Sequence, residues 1–153
     1  MQKLSEDIIS FFQNQGFVIV STIDEDGGVH NSCKGIVKIA SSGQVYLLDL
    51  YKAKTFQNLK NNSNVSITAV DEHKFLGYCL KGKAKIVETA SLKSDILTLW
   101  DDKITERATK RVIKNIHEDK GSSKHPEILL PKPEYLILVE TKEIINLTPG
   151  RMR

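Results

Sequence analysis

The stretch VYLLDLYKAKTFQNL, residues 45–59, leads from a short apolar strand directly into a helix. Residues 45–48 are apolar on both faces, which is typical of a strand with a barrel interior on one side and another buried surface on the other. The helix then begins near Lys52, Lys54 and Thr55. Unpaired backbone N–H groups at a helix start favour an anion, and these three side chains add further hydrogen bonds. The stretch therefore predicts a phosphate site. The alternative is that the lysines are solvated and Thr55 caps the helix or packs.

Two strands joined by a tight turn precede this stretch. Residues 16–23 are rich in β-branched and aromatic side chains, and Asp26-Gly27-Gly28 is typical of a hairpin turn. A second strand is predicted from Val29 to about Ala40. A short amphipathic helix is predicted before them, beginning after Ser5 and ending with a cap at Gly16.

The residues that follow continue the pattern of short antiparallel connections. Strands are predicted at residues 65–70 and 75–87, with a bend at Gly82, and a last strand at residues 135–139 extends towards 147. Residues 91–120 have the spacing of a helical insertion in two pieces. Most strand connections are too short for a parallel crossover. The pattern predicts a mainly β fold, a closed or split barrel of roughly six strands with helices packed on it.

Length and composition narrow the class of protein. The chain has 153 residues, which fits a single domain over 1–153. Its 22 basic and 19 acidic residues give a net charge of +3, so total charge demands neither nucleic acid nor an anionic membrane as partner. Cys33 and Cys79 are the two cysteines, and neither has metal-ligand spacing. We expect free thiols, no metal site, no membrane span and a cytoplasmic location.

A polar run, His30-Asn31-Ser32-Cys33-Lys34, opens the second predicted strand. Asparagine is depleted in strands, and each of these residues can hydrogen-bond, so the run is suited to the edge of a flat polar heterocycle such as a flavin ring. An exposed strand end is the alternative. His30 alone is interpreted as a surface histidine. Cys33 is expected to be a small buried or cofactor-facing residue rather than a reactive thiol.

Taken in order, these segments resemble the FMN-binding split barrel of the pyridoxamine 5′-phosphate oxidase-like family. The resemblance rests on the Asp-Gly hairpin, the run Asn31-Ser32-Cys33-Lys34, the apolar strand and Lys54-Thr55 opening a helix, and it covers residues 17–88 best. It implies a six-stranded antiparallel split β-barrel (Greek key) with peripheral α-helices. It also implies FMN as cofactor and a homodimer with the cofactor at the interface, which agrees with a strand at residues 45–48 that is apolar on both faces.

The resemblance also implies which residues hold the cofactor. In the family the helix start contacts the FMN phosphate, the second strand lines the ring, and the residues before the helix flank the cofactor. Carried over to this chain, the cofactor-binding residues are Asn31, Ser32, Cys33, Lys34, Leu50, Tyr51, Lys52, Lys54 and Thr55. The chain ends in TPGRMR rather than in the Arg-Leu-His type of substrate motif of true pyridoxamine phosphate oxidases, so vitamin oxidation is not implied.

The expected function is that of an FMN-binding flavoprotein, an oxidoreductase that exchanges electrons or hydride with a small-molecule substrate. No catalytic acid or base is identified in the sequence. Three alternatives stay open: a non-catalytic flavin-binding module, a deazaflavin-binding protein and a haem-binding protein. A haem protein would require an axial histidine, and His117 or His125 can be nominated for that role but not argued from the sequence.

Overall fold

The computed structural model describes residues 1–88, 90, 94–117 and 135–150. These residues form three helices and six strands. In chain order the elements are α1 (Glu6–Gln13), β1 (Val18–Ile23), β2 (Val29–Ile39), β3 (Gln44–Asp49), α2 (Lys54–Asn61), β4 (Asn64–Asp71), β5 (Leu76–Glu88), α3 (Ser94–His117) and β6 (Tyr135–Asn146).

The six strands close into one antiparallel barrel in the order β1-β2-β3-β6-β5-β4, with β4 pairing back to β1. This confirms the predicted fold. Gly27 and Gly43 have positive φ angles in the β1–β2 and β2–β3 turns, the conformation that glycine adopts without steric cost. At Gly82 the register of β5 on β6 shifts, and a Cβ atom would lie 2.2 Å from the carbonyl oxygen of Glu140. A bend was predicted at Gly82, and the structure has a register shift there.

The barrel interior is the main hydrophobic core. Alternate residues of the strands point inward and are fully buried, and Phe12 of α1 and Leu59 of α2 join them. The inward residues include Val18, Val20, Val45, Leu47, Ile67, Leu80, Ile137 and Val139. Because side chains alternate along a strand, the same strands present their other residues outside the barrel.

Helix α3 covers part of that outer surface. Ile96 and Trp100 are buried against Val37 and Leu136, and Tyr46 and Leu48 of β3 pack on the same cluster. Strand β3 is therefore apolar on both faces because α3 of the same chain covers its outer side. Tyr46 and Leu48 stay only partly buried beneath α3, and the contact expected with a second chain at residues 45–48 stays a prediction.

Two local predictions are corrected by the structure. Helix α1 ends at Gln13 with Asn14 as its C-cap, so the predicted cap at Gly16 is wrong. The helical insertion forms one helix over Ser94–His117 rather than two pieces, and the remainder of the predicted range, 91–93 and 118–120, lies outside the described residues. Within the described part of the chain, no helix combines the length and the apolar character needed to span a bilayer.

Candidate functional site

The polar run at the start of β2 is divided between the two faces of the barrel wall. Ser32 is opposite the buried Val20 and Lys34 is opposite Val18, so both point towards the interior. Asn31 is opposite Ser21 and Cys33 is opposite Ile19, and these residues point outward. Residues directly opposite in an antiparallel pair share a face. The four residues predicted to line one ring therefore belong to two environments.

Lys34 of β2, Asp49 of β3 and Tyr135 of β6 form a buried cluster inside the barrel. The Lys34 ammonium is 2.6 Å from Oδ1 of Asp49, and the two side chains are only 11% and 4% exposed. The hydroxyl of Tyr135 donates to Oδ2 of the same carboxylate and also lies 3.1 Å from the carbonyl oxygen of Tyr51. Burial, with the Asp49 carboxylate beside it, raises the pKa of Tyr135 well above its usual value. The Tyr135 hydroxyl thus remains a hydrogen-bond donor at neutral pH.

Helix α2 closes this end of the barrel. The Thr55 hydroxyl is buried and lies 3.0 Å from the Ser32 hydroxyl. Asn58 donates to the Thr22 hydroxyl at 3.0 Å and to Asp24 at 2.7 Å. Buried polar groups need such partners because unpaired ones are costly. Thr55 therefore packs inward, with its hydroxyl engaged by Ser32.

The start of α2 is open to an anion. Ala53 occupies the N-cap position and makes no side-chain capping hydrogen bond. The ammonium of Lys54 is half exposed and lies 3.6 Å from Asp24. Lys52 is exposed, and its ammonium lies 5.9 Å from the centre of the Phe56 ring. A helix start with no capping side chain and two lysines beside it fits a phosphate.

A groove of about 310 Å³ is formed by residues of β2 and β3 and of the segment that leads into α2. Small-molecule sites typically measure about 300–1,000 Å³. Two exposed aromatic residues, Phe17 and Tyr51, are part of its lining. The residues around it are Phe17, Cys33, Lys34, Gly35, Leu48, Asp49, Leu50 and Tyr51.

The groove and the α2 start bring the predicted site residues together in two groups. Cys33, Lys34, Leu50 and Tyr51 line the groove, and Lys52 and Lys54 lie at the helix start. Asn31 and the inward-facing pair Ser32 and Thr55 are not among the groove residues.

Sequence reasoning missed the groove residues Phe17, Gly35 and Leu48 and the role of Asp49 with Tyr135. An aspartate at the end of an apolar strand is itself a signal, because buried aspartates are nearly always paired.

Both cysteines are free, as expected, and Cys79 is buried whereas Cys33 is exposed. The register gives the reason. Cys33 is opposite Ile19, Ile19 is opposite Thr68, and Thr68 is opposite Cys79. Three strand spacings of about 4.8 Å separate the two cysteines, more than a disulfide can bridge.

Among the described residues, no group of three or more histidine, cysteine, aspartate or glutamate side chains is arranged to hold a metal ion.

A second groove of about 410 Å³ crosses the outer face of β1, β4 and β5. Its lining combines the apolar side chains of Ile23, Val29 and Val65 with polar residues that include Ser21, Asn64, Ser66 and Lys81.

Solved structures share this architecture over nearly the whole chain. One is a Clostridium acetobutylicum protein related to general stress protein 26 of B. subtilis, of the pyridoxinephosphate oxidase family; it is 18% identical, with TM-score 0.53, covering 98% of this chain and 100% of that chain. HutZ, the haem storage protein of Vibrio cholerae, is 18% identical, with TM-score 0.54, covering 95% and 94% of the two chains. An F420 reductase is 13% identical, with TM-score 0.58, covering 93% and 98%.

At these identities the likeness shows a common fold and no more. No curated protein matches the chain. The family model of pyridoxamine 5′-phosphate oxidase matches residues 4–130, which is most of the sequence. The match spans the six-stranded barrel's first five strands and the lysine-flanked helix α2. The chain therefore belongs to the pyridoxamine 5′-phosphate oxidase family.

Proposed function

We propose that this protein is an FMN-binding flavoprotein that exchanges electrons or hydride with a small-molecule substrate. One observation carries the proposal: the groove beside β2 and β3 adjoins the uncapped, lysine-flanked start of α2. A ring site next to an anion site is what a flavin mononucleotide requires. Membership of the family, whose name is that of a flavin-dependent oxidase, supports the same cofactor.

Different residues would contact the ring and the phosphate of FMN. Phe17 and Tyr51 would cover the ring, and the backbone of β2 would meet its polar edge. Lys54 and the first N–H groups of α2 would hold the phosphate, with Lys52 adding charge. When bound, FMN supplies the redox chemistry, and the protein sets the orientation of the ring and its exposure to a donor.

Purified protein is expected to carry or take up about one FMN per chain and to bind FMN more tightly than riboflavin. The physical reason is that riboflavin lacks the phosphate on which the lysines and the helix start act. Fluorescence quenching of each flavin by the protein measures the two dissociation constants. Equal affinities would remove the phosphate assignment, whereas binding of neither flavin would remove the proposed cofactor.

The same samples separate the alternatives. A Soret band in place of flavin absorbance would favour haem, and F420 binding stronger than FMN binding would favour a deazaflavin. HutZ and the F420 reductase make both tests worthwhile. Of the histidines, His30 and His73 do not line the groove, and the side chains of His117 and His125 lie outside the described residues. Anaerobic reduction of bound flavin by nicotinamide donors would distinguish an oxidoreductase from a non-catalytic flavin-binding module.

The proposal includes a homodimer with the cofactor at its interface. Helix α3 covers part of the outer side of β3, where the contact is expected, and the outer face of β1 and β4 is a further candidate for it. Phe17, Ile19 and Val70 expose 63%, 46% and 59% of their surface there. Grouped exposed apolar side chains are typical of interaction surfaces. Phe17 also borders the groove, so a second copy on this face would adjoin the ring.

Replacing Ile19 by lysine is expected to convert the dimer to a monomer and to weaken FMN binding. A lysine in the middle of this face would lose its hydration on association without gaining a partner. Sedimentation or light scattering at micromolar concentration measures the oligomeric state. The matched control is Leu99→Lys, which charges an exposed leucine on α3 and should leave the dimer intact. A parent protein that is monomeric while saturated with FMN would contradict the proposed dimer.

A further inference from the structure

The ion pair of Lys34 and Asp49 requires an explanation beyond stability. Both side chains are almost fully buried, and both oxygens of the carboxylate are engaged, one by Lys34 and one by Tyr135. Removing two charges from water costs several kcal/mol, so a buried pair is often no better for stability than apolar residues of the same size. Stability alone therefore does not explain the cluster, and we consider its effect on the position of the neighbouring segment.

Tyr135 connects the ion pair to the segment between the groove and α2. Its hydroxyl has one hydrogen, which is shared between Asp49 and the carbonyl oxygen of Tyr51. The same carbonyl accepts the N–H of Ala53 at 2.7 Å. The ring of Tyr135 also meets the ring of Phe56 in α2 edge to face, with 4.9 Å between centroids.

We propose that Tyr135, held by the Lys34–Asp49 ion pair, is the positioning residue that sets the spacing between the groove and the anion-binding start of α2. This inference rests on the proposed function, because the spacing matters to a ligand that occupies both places. A ligand with a ring and a phosphate gains from two sites only when the sites are held at the right separation. A ligand with the ring alone does not depend on that separation.

The test compares FMN with riboflavin on Tyr135→Phe, which removes one oxygen atom and keeps the ring. We expect FMN binding to weaken about tenfold, because the segment loses the hydrogen bond that orders it and must be ordered by the ligand instead, and riboflavin binding to change less than about twofold. The matched control is Tyr78→Phe. Tyr78 is a partly buried strand residue whose ring also packs edge to face, on Phe11, and the loss of its hydroxyl should change neither constant.

Hydrogen exchange gives a second measurement that needs no flavin. In the parent, the Ala53 amide is expected to exchange slowly although the residue is exposed, because its partner carbonyl is held by Tyr135. In Tyr135→Phe this amide should exchange about tenfold faster, and in Tyr78→Phe it should not.

Each outcome decides something. Equal losses for FMN and riboflavin would make Tyr135 a general structural residue and overturn the inference, as would unchanged constants. A parent that binds no FMN would remove the proposed function, and the exchange of Ala53 alone would then decide whether Tyr135 orders the segment. An Ala53 amide that exchanges freely in the parent would overturn the positioning role without any variant.

Discussion

Replacing Lys54 by alanine is expected to weaken FMN binding by about 1.5–3 kcal/mol, roughly 10- to 150-fold, and to leave riboflavin binding unchanged. This is the range for a hydrogen bond to a charged group, and Lys54 flanks the uncapped start of α2. Because the side chain is half exposed, added salt should reduce the difference between parent and variant. Titration of each flavin at two salt concentrations measures the effect.

The matched control is Lys60→Ala, which removes a lysine from the last turn of the same helix. Its effect on FMN should be small, because the C-terminal end of a helix does not attract an anion. Asp24→Asn should act in the opposite direction to Lys54→Ala. Asp24 lies 3.6 Å from the Lys54 ammonium and competes with a phosphate for it. An unchanged FMN constant in Lys54→Ala would exclude this lysine from the phosphate site.

Replacing Lys34 by methionine is expected to lower the free energy of unfolding by about 3–5 kcal/mol. The loss arises because the variant leaves the Asp49 carboxylate buried with Tyr135 as its described partner and with no compensating charge. The double variant Lys34→Met/Asp49→Leu should recover much of the loss, since it removes both charges. Urea unfolding monitored by Trp100 fluorescence, with the slope m compared between variants, measures the change.

The matched control for Lys34 is Lys85→Met. Lys85 is paired with Glu140 at 2.8 Å, a similar distance, but both groups are at the surface. Solvent and salt screen such a pair, so its loss should change stability little. If Lys34→Met and Lys85→Met lowered the free energy of unfolding equally, burial would not determine how much an ion pair contributes to stability. A stable Lys34→Met with unaltered unfolding would contradict the buried ion pair.

Much of the fold could be predicted because its signals are local. Alternation along β5, the Asp-Gly turn and the short connections each depend on neighbouring residues, and they are enough to indicate an antiparallel barrel. Helix bounds were less predictable. The end of α1 is a local cap at Asn14, and α3 packs on the outside of the barrel through Ile96 and Trp100, which local propensity does not contain.

The site was predictable only as a set of segments. The lysines before and within the first turn of α2 and the polar run of β2 are visible along the chain, but the face to which each side chain points depends on register. Register placed Ser32 and Lys34 inside the barrel and Cys33 outside, beside Ile19. Residues distant in the sequence are brought together only by the closed sheet.

The sequence by itself determined the barrel, the lysines at the start of α2 and the absence of metal-ligand spacing at the cysteines, because alternation, turn chemistry and charge are properties of neighbouring residues. The tertiary structure decided which groups are paired and which are available to a ligand. It turned Thr55 inward onto Ser32, covered β3 with α3 and joined Asp49 to Tyr135 across 86 residues of chain. Such pairings depend on distances across the sheet, and burial then fixes them because an unpaired polar group in the interior is costly.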